Sequence, residues 1–523
     1  MGGLPFFYAI GDERPYIRQT APFRKDQSDI GAEPGEQSLT GWWLRSQSSF
    51  HNGTGVKFYD PSAGETVSYR FADSDNVDIW TKGQVTLLKE TTNTVSTGIY
   101  KLISGVSGST DVAISYIPGS TTLKDIEADA TTLTTYATTA SGIVDVVTNG
   151  TTLFVANATR IYYETIGATG ALNNHYNTGS ALVKMAWVKQ RLVAGIGTSI
   201  YELTGALGTT TLPATAVYTH PNTGWEWTSI SEGGSAIYAA GYAGGNSAIY
   251  KFVLSTAGVM PTLTSGIVAA QLPIGEIVYK IESYLGYLMI GTNKGMRVAT
   301  ISDTTGDLSY GPLIFEDSTG TVKPLARDFA FRDRFVWATG TIGGYAGLYR
   351  VDLGAEIESL RFAYAKDAYL SGATGYATSV DFIGNSDQIA FTTSGSDGIA
   401  IQSATVLSTT GSITTGKIRF STLEPKNFKR LIGRGSFTAG AFTLSSLATG
   451  TSGSDTQYDH ITYDSSVDPV EVTTSQPEVA QEFLAYKFTL DRDATDTTTG
   501  PTFKGYQAKA TIATPRQRMI KFP

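Results

Sequence analysis

The chain has 523 residues, with 39 Lys and Arg against 47 Asp and Glu, a formal charge of −8, and 57 glycines. Mild acidity without a basic block gives no electrostatic footprint for nucleic acid, and so few charges among so much Gly, Thr and Ser exclude a coiled coil. There is no cysteine, so disulfides, zinc knuckles, thiol catalysis and iron–sulfur clusters are excluded.

The first stretch, Met1-Gly-Gly-Leu-Pro-Phe-Phe-Tyr-Ala-Ile10, lacks a basic leader and a full apolar core, so no signal peptide is expected. Gly2 does not make a myristoylation site, because Phe6 stands where that motif wants Ser or Thr. No apolar run is long enough to span a bilayer as a helix. Residues 1–90 read as an N-terminal arm and small β flank. Phe6, Phe7 and Tyr8 adjoin polar, Pro-broken text (Gly11-Asp-Glu-Arg-Pro15, Glu33-Pro-Gly-Glu36). That text is too poor in core residues to fold alone, and the three aromatics are candidate assembly residues. Strand-like text follows at Trp42-Trp43, Val56–Tyr59 and Val67–Phe71. Trp42, Trp43 and Trp80 admit a sugar-stacking reading and a core or interface reading. The second is favoured, since large aromatics dominate buried area, and Trp42 and Trp43 join the assembly candidates. Asp73-Ser-Asp75-Asn-Val-Asp78 loosely resembles a calcium loop, but it lacks the Gly and closing Glu that complete one and reads as a solvated turn.

Residues 91–414 are dominated by Thr, Val, Ile, Tyr and Phe, with Gly, Asn, Asp and Ser clusters roughly every eight to twelve residues. This is the punctuation of short strands, and helical spacing is nearly absent, so the fold class is all-β. Lys280 to Met289 imitates a helix, but alternation and the flanking Gly286 and Gly291 favour strands. One pattern recurs: a strand, a polar turn, a second strand ending in small residues, a turn, then Ile/Leu-Tyr. It reads Val144-Asp-Val146, then Leu153-Phe-Val155-Ala156, then Ile161-Tyr162. Further copies are anchored at Tyr201, Tyr250, Arg297, Tyr349 and Ala400, with gaps of 39, 49, 47, 52 and 51 residues. The period fits one four-stranded blade of a β-propeller. Val155, Val193, Ala239, Met289, Val336 and Ala390 fall on equivalent strands, and their small neighbours are expected where strands converge on the axis. A weaker copy, Val112–Tyr116, precedes the first. Counting it gives seven blades; omitting it gives six.

Candidate chemistry is sparse. His51, His175, His220 and His460 have no metal-ligand or triad spacing. Ser302-Asp-Thr-Thr-Gly306 fails the repeated Ser-x-Asp-x-Gly-x-x-Trp turn of sialidase-type propellers. WD-repeat pairs are absent, and the Gly doublets at 233–234, 244–245 and 343–344 vary in their place within the blade. Leu431-Ile-Gly-Arg-Gly435 lacks the ending of a phosphate loop. No catalytic residue, cofactor or metal is therefore expected, and the chain is read as a binding protein rather than an enzyme. Recognition residues concentrate on loops of rigid scaffolds. The candidates for partner or host contact are Tyr176, His220 and Tyr345, in Asn173-Asn-His-Tyr176, His220-Pro-Asn222 and Gly343-Gly-Tyr345.

From 415 to 523 alternating strands separated by Ser, Gly and Asp loops read as a β-sandwich. Basic residues gather at Lys426, Lys429, Arg430 and Arg434, and again at Lys504, Lys509, Arg516, Arg518 and Lys521. Each group is either a solvated strand face or an interface with an acidic neighbour.

Glu33 to His51 with Gly53-Thr-Gly-Val56, Val77 to Gln84, Arg419 to Lys426 and Pro515 to Met519 resemble minor tail proteins of long-tailed phages that infect actinobacteria. The resemblance covers both flanks and not the repeats. It implies a structural virion component at the tail tip, oligomeric in the assembled tail. The implied partners are other tail tip proteins and, outside, a host cell-wall glycan or surface protein, with no nucleic acid and no membrane span. The alternative is a carbohydrate-active propeller that cleaves or binds a cell-wall glycan. The feature that separates the two is convergence of two or more carboxylates on the propeller mouth, about 5–10 Å apart.

Overall fold

The computed structural model describes residues 43–512, apart from 60–68, 96–97, 129–131, 169, 180–181, 316–325, 396, 421–422, 424, 437–438, 450–454, 465–470 and 476–479. Phe6, Phe7, Tyr8 and Trp42 therefore lie outside the described residues. All named elements are strands, and they fall in two compact units, 90–404 and 1–89 with 405–523.

The first unit is a β-propeller whose described residues form seven blades. The first strands of the blades are Lys101–Ser107, Ile143–Thr148, Val183–Val188, Glu226–Gly233, Val278–Tyr284, Phe329–Arg332 and Ala377–Phe382. Each pairs antiparallel with a second strand, which pairs with a third, which pairs with a fourth. The weak sequence copy Val112–Tyr116 lies on the second strand of blade 1, Thr110–Tyr116. In blade 7 the fourth strand, Lys89–Val95, comes from the other end of the repeat region, so the chain closes the ring on itself.

Second strands are apolar on both faces because each serves two interfaces. Val155 packs with blade 1, whereas Phe154 and Ala156 pack with blade 3. A separate apolar cluster fills each blade interface, and the one between blades 7 and 1 joins Leu102 and Ala113 to Ile383 and Ala390. This two-sided burial explains why second strands read as apolar runs rather than alternations.

The small residues of the repeat have a different cause from the one expected. They sit on second strands, not on the axis, and make room for the next stretch of chain. A Cβ at Gly195 would meet Trp227 Cβ at 2.9 Å, one at Gly241 the Glu226 carbonyl at 2.5 Å, and one at Gly291 the Ala326 carbonyl at 2.5 Å. The helix-like stretch 280–289 is a hairpin, its turn made by Leu285 (φ 48°) and Gly286 (φ 84°).

The second unit is a sandwich of two sheets. One runs Trp43–Gln47, Thr502–Ile512, Lys426–Ser436, Glu471–Ser475; the other runs Asp73–Asp75, Thr410–Thr414, Ala485–Asp491, Ala441–Thr449, Asp455–Asp464. Phe503 from the first packs on Phe488 and Phe442 from the second, at 4.4 and 5.3 Å between ring centroids. The expected separation of a flank at 1–90 from a sandwich at 415–523 does not hold, because Trp43–Gln47 pairs residue by residue with Tyr506–Ala510. An edge strand near one end of the chain finds its partner near the other, a pairing that no local pattern announces.

Candidate functional site

The first strands of all seven blades line a central channel of about 490 Å³. Strand direction orders its contents. Lys101 opens its strand, Lys184 is second in its own, and Arg327 stands two residues before Phe329, so these three cations share the end where inner strands begin. Glu282 and Asp381 are each fifth in their strands, and Glu232 is seventh, toward the opposite end.

The carboxylates are engaged by the protein. Asp381 accepts the Ser104 N–H at 2.7 Å and the Phe382 N–H at 2.8 Å. Asp145 accepts the Met185 N–H at 2.7 Å and the Tyr116 hydroxyl at 3.5 Å. Asp328 accepts the Ser379 hydroxyl at 2.5 Å and the Val380 N–H at 3.3 Å. Lys280 Nζ lies 3.4 Å from both Glu282 Oε2 and Asp328 Oδ1, so these two carboxylates are within twice that distance of each other. Glu232 accepts the Lys189 N–H at 2.5 Å.

The cations differ from one another. At Lys280 burial works against the charge, but Glu282, Asp328 and Asp145 outweigh it and hold the ammonium above its ordinary range. Lys101 donates to the Thr378 carbonyl at 2.8 Å. Burial brings its pKa down to about 8; Asp328 opposes the fall, and repulsion from Lys184, Lys280 and Arg327 adds to it. The Arg327 guanidinium lies 4.3 Å from the Tyr279 ring centroid and 4.9 Å from that of Tyr376, and its buried Nε has no acceptor. Burial pushes Asp381 up to about 7, against its two amide donors. It also raises Glu282, which Lys280 pulls the other way.

The contact candidates lie elsewhere. Tyr176 is 1% exposed, on the strand Asn173–Asn177 rather than a loop, with its hydroxyl accepting the Gly205 N–H at 2.7 Å. It is a core residue, and the expected surface contact there is withdrawn. His220 is on the predicted loop but half-buried, stacked 4.1 Å from Trp225 with Nε2 3.0 Å from the Tyr250 hydroxyl. Burial lowers its pKa. Tyr345 follows the turn Gly343-Gly344 (φ 59° and 91°), half-buried and stacked on Tyr369. By strand direction, the His220 loop and the Tyr345 turn lie at the same end as the three cations. So do Leu182 and Ile274, which are exposed.

In the sandwich unit Trp43 is buried against Phe420, and Trp80 is also buried. Asp78 caps its own turn by accepting the Trp80 N–H at 3.0 Å. Lys426 is buried and donates to the Glu482 carbonyl at 2.6 Å, while Lys429, Arg430 and Arg434 are exposed along the same strand. Among the described residues no group of His, Asp and Glu is arranged to hold a metal ion, and no helix is long and apolar enough to cross a membrane.

Fold and channel together define a β-propeller with a charged axial site. No family model and no curated protein matches the sequence. Among solved structures, the chain is similar to the β-propeller domain of Cps50 (Swd1) from Myceliophteria thermophila. That match has 12% identity and a TM-score of 0.41, covering 59% of this chain and 100% of the other. It is similar also to the WD40 β-propeller domain of Doa1, at 12% identity and a TM-score of 0.41, covering 61% and 96%.

Proposed function

We propose that this chain is a structural, non-catalytic virion protein of a phage tail tip. Its sandwich unit docks to other tail proteins, and its propeller serves recognition of the host envelope, a cell-wall glycan or a surface protein. One observation carries the reading. The described residues of three segments that resemble minor tail proteins, 43–56, 77–84 and 419–426, lie on either side of the repeats in the sequence, yet they share one compact unit. Trp43–Gln47 pairs with Thr502–Ile512, which pairs in turn with Lys426–Ser436. The propeller, which carries no such resemblance, is inserted between them in the sequence. A docking unit with a rigid inserted module suits recognition, because a fixed scaffold limits the entropy lost on binding. Negative-stain images of virions labelled with antibody against this chain test it. Label at the tail tip is expected; label on the capsid, or virions without the chain, would overturn the reading.

Glu282 and Asp328 favour a second reading, since two carboxylates at such a separation are the apparatus of glycoside hydrolysis. Against it, Lys280 bridges them and Asp328 is held by Ser379 and Val380. Release of soluble sugar from actinobacterial cell-wall fractions, abolished by Glu282→Gln, would put hydrolysis in the place of binding.

A further inference from the structure

The formal charges facing the channel nearly balance, so its preference depends on which groups already have partners. Asp145, Asp328 and Asp381 accept backbone N–H groups of the following blade, Glu282 is paired with Lys280, and Glu232 is held at the far end. Among the described residues the cations at the opposite mouth have no carboxylate in direct contact, although Asp328, next to Arg327, attracts the Lys101 charge from within the channel. Among the described residues, the Lys184 ammonium has no hydrogen bond or ion pair. The Arg327 guanidinium is held between two tyrosine rings with Nε lacking an acceptor, and Lys101 has only a carbonyl. A guanidinium lying over aromatic rings still carries its planar fork of donors, the geometry that carboxylates and phosphates match.

We propose that the mouth formed by Lys101, Lys184 and Arg327 is a binding site for an oxyanion, a phosphate or carboxylate group carried by a ligand that enters along the propeller axis. The three side chains come from blades 1, 3 and 6, so they converge only in the closed ring. The pKa of Lys101 is depressed first by burial, and repulsion from Lys184, Lys280 and Arg327 adds to the fall against the pull of Asp328. A bound anion would relieve that repulsion, so binding near pH 8 draws a proton onto Lys101. Occupancy of the far end by carboxylates sets the polarity, so the anionic group stops at the mouth rather than threading the channel. The inference does not rest on the tail-tip reading and stands or falls separately from it.

The test is calorimetric titration of the full chain with inorganic phosphate, and separately with glucuronate, at fixed ionic strength and near the Lys101 value of about 8. Repeating it in buffers of different ionisation heat reads proton uptake. Saturable binding with net proton uptake is expected. Lys184→Met and Arg327→Gln should each weaken it about tenfold or more, the loss of one charge-assisted contact, while Lys429→Met on the sandwich unit changes nothing. Among the described residues the Lys184 ammonium has no hydrogen bond or ion pair to lose, so its variant is expected to fold even if Arg327→Gln does not. Saturation by only one of the two titrants assigns the site to phosphate or to carboxylate. Absence of saturable heat with both, or affinities equal in wild type and Lys184→Met, overturns the proposal.

Discussion

Asp381→Asn should remove a pH dependence from the propeller's stability. Asp381 belongs to blade 7, and its Oδ2 accepts the Ser104 N–H of blade 1, so it sits on the seam where the ring closes. Burial is the main cause that raises its pKa to about 7, with Asp328 and Glu282 adding repulsion and the two amides opposing. Against an ordinary value near 3.9, about three pH units at 1.36 kcal/mol each bound the effect at about 4 kcal/mol. The sign follows from proton binding. The folded state holds this proton more tightly than the unfolded state. The stability it confers is complete below about pH 4 and is lost as pH rises through about 7. Asn is neutral throughout and keeps one acceptor, so one of the two N–H donors is left unmatched, costing about 1–3 kcal/mol. The variant should therefore be less stable than wild type near pH 4 and should match or exceed it near pH 8. Calorimetric melting of the two proteins across this range is the assay. Raised Glu282 leaves a slope in both, so the quantity read is their difference. Parallel melting curves at every pH would refute the assignment of Asp381 as a buried, proton-holding seam residue.

Gly291→Ala should destabilise by about 1–3 kcal/mol, because the new methyl meets a backbone carbonyl at 2.5 Å. Gly245→Ala meets nothing nearer than 3.7 Å and should be neutral or slightly stabilising by urea unfolding, since Ala reduces the freedom of the unfolded chain. Trp43 fluorescence, isolated as the difference between wild type and Trp43→Phe, should resist iodide quenching, and Trp43→Ala should cost about 3–5 kcal/mol.

The blade period was legible because a propeller repeats its packing demands. The anchors Tyr162, Tyr201, Tyr250, Arg297, Tyr349 and Ala400 all fall on third strands, and Val155, Val193, Ala239, Met289, Val336 and Ala390 on second strands. What the text could not display was pairing across long separations. Neither the closure of blade 7 by Lys89–Val95 nor the union of Trp43–Gln47 with Thr502–Ile512 leaves a local trace. The channel escaped for a related reason. Lys101, Lys184 and Arg327 lie tens of residues apart, and no motif spans a blade. A signal was present within the repeat itself. Asp145 in Val-Asp-Val and Asp381 in Val-Asp-Phe occupy the first strand, where a charge in apolar text marks a side chain facing the axis. Tyr176 misled in the opposite direction, because Asn-rich text suggested a loop where an outer strand runs.

The direction of the channel's hydrogen bonds joins its rigidity to its charge. An inner strand is an edge, and its unpaired N–H groups need acceptors. Here the acceptors are side chains of the preceding blade: Asp145 for Met185, Ser231 for Ser283, Asp328 for Val380, and Asp381 with Ser379 for Ser104 and Leu102. Donation from one blade to the side chains of the one before it fixes neighbouring blades in register. It also holds Asp145, Asp328 and Asp381 in place at the seams, from which Asp328 still attracts the Lys101 and Lys280 charges. A ring sealed in this way commits three of its acids to the seams, and among the described residues it leaves the Lys184 ammonium and the Arg327 Nε without a hydrogen-bond acceptor of the protein's own.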